Sequence, residues 1–181
     1  NASRRASAVL TQISRAFMYR DKNTFLQLYK QFVRCHLEFA IPAWSPWLVS
    51  DIEILERVQK RAVRMIVGLH GRTYEEKLIE LGLKTLESRR KRYDLVQTFK
   101  IINGFDKVNS SIWFRMVDDQ QTRLTRNTSY NKNLIATRFK TDIRRNFFSC
   151  RVVSLWNNLP IEVKESKSVI SFKTKLENID I

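Results

Sequence analysis

Ser50-Asp51-Ile52-Glu53-Ile54-Leu55-Glu56-Arg57-Val58-Gln59-Lys60-Arg61-Ala62-Val63-Arg64-Met65-Ile66-Val67-Gly68 is the stretch that decides the fold class. Ile52, Leu55, Val58, Ala62, Met65 and Ile66 recur at spacings of three and four, the repeat that puts side chains on one face of an α-helix. Ser50 and Glu53 have the spacing of a capping box, and Gly68 stands where a left-handed residue would close the helix. Opposite the apolar face, Arg57, Lys60, Arg61 and Arg64 fall at i, i+3, i+4 and i+7, so the same helix carries a basic ridge.

The same repeat extends on both sides. Ala6, Val9, Leu10, Ile13, Ala16 and Phe17 predict a helix from Arg4 to Tyr19. Phe25, Leu28, Tyr29, Phe32, His36 and Phe39 predict a second over about Lys22 to Phe39, ending before Pro42, which disfavours helix in the residue ahead of it. Trp44 and Trp47, in the turn that follows, are expected to pin that turn to the core. Thr73-Tyr74-Glu75-Glu76 is a second capping box opening a short helix that Gly82 ends, and a longer helix runs from about Leu86 to Asn103, stopped by Gly104. Beyond residue 105 the pattern loosens. Asp106 to Asn133 reads as polar loop with a short turn at Ile112 to Met116, and Asn133 to Lys140 has the alternation of one arm of a short β-hairpin. Helical spacing returns from Asp142 with Phe148, Val152, Leu155 and Leu159, and Ser168 can cap a last helix carrying Val169, Phe172 and Leu176. The fold class is therefore mainly α: a helical bundle over 1–104, a basic polar segment with a short hairpin over 105–141, and a helical region over 142–181.

Composition agrees and narrows the function. The 181 residues carry Lys+Arg 33 against Asp+Glu 18, a net charge of +15, yet 43% are hydrophobic, enough for a core and against a disordered basic tail. Gly 4 and Pro 3 are too few for a turn-rich β sandwich. Cys35 and Cys150 lie far apart in apolar patterns, as buried free thiols would. No apolar run approaches the roughly 20 residues of a membrane span, and no signal peptide opens the chain. These features predict an intracellular protein, nuclear or cytoplasmic, and the absence of an initiator Met suggests a piece of a longer one.

Catalytic chemistry finds little support. His36 and His70 are the only histidines and lack zinc-ligand spacing; His36 reads as a core histidine. Asp118-Asp119 is the type of pair that holds Mg²⁺ on phosphates, but the polar run after it reads as a solvated loop. The cationic features are stronger. Arg89-Arg90-Lys91-Arg92 winds around a helix, so only part of it can face one ligand, with a nuclear-import patch as a further reading. From Gln120 to Trp156, Arg123, Arg126, Lys132, Arg138, Lys140, Arg144, Arg145 and Arg151 stand against the single acid Asp142. Tyr130, Phe139, Phe147 and Phe148 are interleaved, as where phosphates are neutralised while rings stack on bases. Phe148 and Trp156 are assigned to the core by helical spacing.

Taken in order, a series of short motifs resembles the region after the polymerase palm in reverse transcriptases of jockey-like and related non-long-terminal-repeat retrotransposons. It includes Tyr29-Lys30 to Val33-Arg34, Leu37-Glu38-Phe39-Ala40-Ile41-Pro42-Ala43-Trp44-Ser45-Pro46, Asp51-Ile52 to Leu55-Glu56, Val58-Gln59-Lys60-Arg61-Ala62, Tyr74-Glu75-Glu76-Lys77-Leu78, Leu81-Gly82-Leu83, Leu86-Glu87-Ser88-Arg89-Arg90, Asn146-Phe147-Phe148-Ser149, and Arg151-Val152-Val153 through Trp156-Asn157-Asn158-Leu159-Pro160. The resemblance spans nearly the whole chain and implies a thumb and C-terminal region. It also implies RNA, DNA or an RNA–DNA hybrid as ligand and an upstream palm of the parent polyprotein as partner. The catalytic aspartates and their Mg²⁺ would belong to that palm, so the chain by itself is expected to hold no cofactor and to be inactive. Arg126-Asn127 departs from the Arg-Gly of many relatives.

The expected role is a clamp on template–product duplex, with Arg57, Lys60, Arg61, Arg64 and part of Arg89, Arg90 and Arg92 on phosphates. Arg126, Arg138, Lys140, Arg144, Arg145 and Arg151 would hold RNA or target DNA. The alternatives are a non-catalytic helical module binding an acidic protein partner, and polymerisation by the chain itself through Asp118 and Asp119.

Overall fold

The computed structural model describes residues 2–117 and 132–179, and Asp118, Asp119, Arg123, Arg126 and Tyr130 lie outside them. The described residues are mainly α-helical, and their β structure is a single antiparallel bridge between Met116 and Leu134. Among the described residues the expected hairpin shows one rung, made by Val117 N–H to Asn133 O and Ile135 N–H to Arg115 O, 3.0 and 2.8 Å. The chain divides into two compact units, Asn1–Arg90 and Lys91–Ile181. The division falls at 90 rather than at the composition break near 105, because Leu95, Phe99 and Ile101 belong to the second core.

In the first unit, α1 (Ala2–Ala16) buries Ala6, Leu10 and Ile13. The predicted second helix is a continuous run with a wide turn inside it: α2 (Lys22–Leu28), a π turn (Tyr29–Val33) and α3 (Arg34–Glu38). Asp21 caps α2, its carboxylate accepting from Thr24 N–H at 2.9 Å. The π turn changes which face is buried. Phe25, Tyr29, Val33 and Leu37 are buried, while the expected Phe32 and Phe39 are exposed. A spacing of four drifts about 40° per step around an α-helix, and the wider turn, closed by Arg34 N–H on Tyr29 O, takes up that drift.

Ala40 follows in the left-handed conformation (φ 51°, ψ 37°), a strained geometry for a residue with a Cβ, and leads into the short α4 (Ile41–Trp44). Ile41 pins this corner at 1% exposure; Trp44 and Trp47, assigned that task from sequence, are 37% and 46% exposed. The cysteines also differ from expectation, Cys35 being exposed and Cys150 only half-buried.

Helix α5 (Val49–Arg64) begins one residue before Ser50, with Leu48 in the N-cap position and no side-chain cap bond, so the Ser50 capping box does not form. Its C-cap is Met65, and Gly68 occupies a left-handed turn three residues on (φ 87°). The Thr73 box does form: the Thr73 hydroxyl accepts from Glu76 N–H at 3.3 Å and the Glu76 carboxylate from Thr73 N–H at 2.8 Å, opening α6 (Tyr74–Glu80). Gly82 (φ 59°) closes α6 in a Schellman turn, with Leu83 N–H on Leu78 O and Gly82 N–H on Ile79 O.

Helix α7 (Leu86–Ile102) supplies the first side chains of the second core. There follow α8 (Ser110–Trp113), α9 (Asp142–Arg145), α10 (Phe148–Asn157), α11 (Ile161–Lys164) and α12 (Val169–Glu177). Phe148 and Trp156 are core residues, as their spacing predicts. Phe99 stacks on Phe172 with centroids 4.3 Å apart, and the Trp156 indole N–H donates to Lys132 O at 2.8 Å. Ser168 caps α12, accepting from Ser171 N–H.

Candidate nucleic-acid interface

Helix α5 packs on α1 and buries Leu55, Val58, Ala62 and Val63, which fixes where its cations point. At 100° per residue, Arg57, Arg61 and Arg64 fall within an arc of about 60° centred opposite the buried face, and all three are exposed. Lys60 lies at the edge of this arc, half-buried, its ammonium 5.2 Å from the centre of the Tyr74 ring. The predicted ridge therefore presents three guanidinium groups outward and lays the fourth cation on the neighbouring helix.

Arg4 joins this ridge from α1. Together with Ser3, Ser7, Ile54, Arg57, Val58 and Arg61 it lines a groove of 380 Å³ that, among the described residues, contains no acidic side chain. Arg61 is further steadied by a 3.2 Å hydrogen bond from its guanidinium to the Thr11 hydroxyl. Arg4 is not among the binding residues expected from the sequence. The signal was its place on an amphipathic helix beside Ala6 and Leu10, but which helix would pair with α5 could not be read from one helix alone.

The run Arg89 to Arg92 turns inward instead. Arg89 grips both carboxylate oxygens of Glu38, through Nε and, at 3.0 Å, through a terminal nitrogen. Arg90 is 3% exposed. Arg92 donates to Leu176 O and Ile179 O, both at 2.7 Å, holding the end of α12. Arg89 and Arg92 are thus engaged within the fold, and Arg90 is withdrawn from the surface by burial. Arg151 is withdrawn in the same way: it forks onto Asp94 Oδ1 and Oδ2 at 2.9 and 2.8 Å and donates to Asn146 O. Asp94 itself is buried.

Arg138, Lys140, Arg144 and Arg145 remain exposed in the second unit. Thr141 caps α9, accepting from Arg144 N–H at 3.3 Å. The Arg144 guanidinium lies 5.1 Å from the centre of the half-exposed Phe147 ring, which is parallel to Trp113 within 3°. Phe139 is 45% exposed beside them in sequence. Arg126 falls outside the described residues.

No protein-family model, curated protein or solved structure matches the chain. Among the described residues no group of three or more His, Cys, Asp or Glu side chains could hold a metal ion, and no helix is long and apolar enough to cross a membrane. Half-buried His36 and exposed His70 are too few for a zinc site, and Asp118-Asp119 lies outside the described residues. The geometry that remains is an arginine-lined groove on one unit and a basic, aromatic-edged patch on the other, both suited to phosphate.

Proposed function

We propose that this chain is a nucleic-acid-holding, thumb-like part of a non-long-terminal-repeat retrotransposon reverse transcriptase, gripping the backbone of a template–product duplex without performing the chemistry. The observation that carries the reading is the outward arc of Arg57, Arg61 and Arg64, of which Arg57 and Arg61 share with Arg4 a groove that no acid lines among the described residues. Guanidinium groups bind phosphate oxygens in pairs and stay charged at all working pH values. Contacts of this kind hold the backbone and carry no base information. The motif series supports the assignment to the thumb and C-terminal region; Mg²⁺ and the catalytic aspartates would belong to a palm of the parent polyprotein.

The test is a titration with RNA–DNA hybrid, duplex DNA and single-stranded RNA at several salt concentrations. The expected result is binding that weakens steeply with salt and favours the hybrid, with a slope of about −0.9 per phosphate neutralised on duplex DNA. Replacing Arg4, Arg57, Arg61 and Arg64 with Ala should weaken every sequence alike and flatten the slope while the fold persists. Weak binding of all three at low salt would sink the reading.

A further inference from the structure

The arginine groove runs into a second, larger space. Ser3, Arg4 and Ile54 line both the groove and a cavity of 1090 Å³ between the first residues of α1, the α4 corner and the start of α5. The walls of this cavity include Phe39, Trp44 and Trp47, flat rings that are 77%, 37% and 46% exposed. Arg4 and Arg5 are its cations and Asp51 is its one acid among the lining residues.

The aromatic wall is built rather than incidental. Ala40 takes a left-handed conformation, a costly choice for alanine, and so turns the chain back between Phe39 and Trp44. The Trp44 indole N–H then donates to the Phe39 carbonyl, locking one ring against the backbone of the other. Strained geometry held in this way concentrates where a surface is shaped for a ligand.

We propose that this cavity receives the unstacked bases where one strand of the gripped nucleic acid runs on single-stranded beyond the duplex, its phosphates following Arg57, Arg61 and Arg4 towards the cavity. This base site rests on the nucleic-acid reading above and extends it. A strand that follows the groove reaches the cavity through the shared Arg4. Its sugar–phosphate edge meets guanidinium groups while its bases meet Phe39 and Trp47, the division of labour that single-strand binders use. Drug-sized ligand sites span about 300–1,000 Å³, so the space suffices for more than one base. An apolar peptide would also suit the rings, but it would leave Arg4 and Arg5 without anionic partners.

The experiment compares a short single-stranded oligothymidylate with an abasic oligomer of equal length and charge, binding each to the unchanged chain, to Phe39→Ala, to Trp47→Ala and to Arg57→Ala. The exposed positions of Phe39 and Trp47 make these variants mild for the fold, and circular dichroism melting checks this. Tryptophan quenching is a second readout. The base-bearing strand should bind the unchanged chain roughly five-fold or more tighter than the abasic one, the scale of stacking one base on a ring. Phe39→Ala and Trp47→Ala should shrink that ratio towards one, whereas Arg57→Ala should weaken both strands and leave the ratio intact. Equal binding of the two strands to the unchanged chain overturns the base site while leaving phosphate binding standing. So does a ratio that neither aromatic variant moves. If neither strand binds at low salt, the nucleic-acid reading fails with it, and an apolar peptide becomes the occupant to try.

Discussion

The Tyr29 hydroxyl donates a 2.6 Å hydrogen bond to Oε1 of Gln59, and both side chains are almost wholly buried. Gln59 Nε2 reaches the Tyr74 hydroxyl at 2.9 Å and Lys84 O at 3.1 Å, Tyr74 donates to the Glu56 carboxylate, and Glu56 accepts from Leu86 N–H. One polar chain thereby ties the π turn, α5, α6 and the start of α7 together. A buried network of this kind is costly to leave half satisfied.

Gln59→Leu should therefore destabilise the protein by about 2 kcal/mol, since it strands the hydroxyl of the buried Tyr29 and removes the link to Tyr74 and Lys84 O. Urea unfolding measures this. Tyr29→Phe, which leaves only Oε1 of Gln59 short of a donor, should cost about half as much. Equal and negligible losses would mean that the network contributes little.

Burial raises the hydroxyl pKa of Tyr29 and Tyr74 above the ordinary 10.0, with the Glu56 carboxylate adding to the effect at Tyr74. Because the folded state keeps these protons longer than the unfolded one, stability is complete below pH 10 and falls as pH rises above it. Tyrosinate absorbance should show two of the five tyrosines titrating only as the chain unfolds. Five smooth titrations in a folded protein would contradict the burial.

Acid acts on the same unit with the opposite sign. Hydrogen bonds from backbone N–H groups hold the carboxyls of Asp21 and Glu76 below their ordinary values, as Lys22 and then Arg72 do for Glu80. Their contribution is whole above the ordinary 4.5 of Glu and 3.8 of Asp and is lost as pH falls through the lowered folded values. The urea midpoint should fall over that window, and Glu76→Gln should flatten part of the fall.

Arg151 and Arg144 should separate cleanly. Removing one partner of a buried ion pair costs about 3–5 kcal/mol, so Arg151→Ala should destabilise strongly. Arg144→Ala should leave the melting temperature nearly unchanged yet reduce the salt dependence of nucleic-acid binding. The reverse pattern would return Arg151 to the surface candidates.

Ala40→Gly should stabilise the corner before α4 by about 0.5–1 kcal/mol, because glycine adopts a positive φ without strain and the relief exceeds its added unfolded-state entropy. Thermal melting checks the sign.

How far the sequence could be read depended on where each partner lay. Helices α1, α5, α6 and α7 followed from spacing alone, and the Thr73 box from four adjacent residues, because their causes are local. The Ser50 box failed because the chain enters α5 one residue early, at Val49. The buried face of α2 to α3 was misread because a π turn leaves no signature in a list of apolar positions. Arg89 and Arg151 looked like ligand cations because Glu38 and Asp94, 51 and 57 positions away, become their partners only in the fold. Arg57, Arg61 and Arg64 stayed legible because they oppose the apolar face of their own helix.

The π turn at Tyr29–Val33 leaves one residue of slack in the helical run. Deleting one residue from it would return the run to an ordinary α-helix, because Phe25, Tyr29, Val33 and Leu37 would then follow one another at spacings of four, three and four, the repeat of a single helical face. Leu37 would keep its place in the core and Glu38 its place beside Arg89. A second deletion would find no slack to absorb it and would turn everything downstream by about 100°.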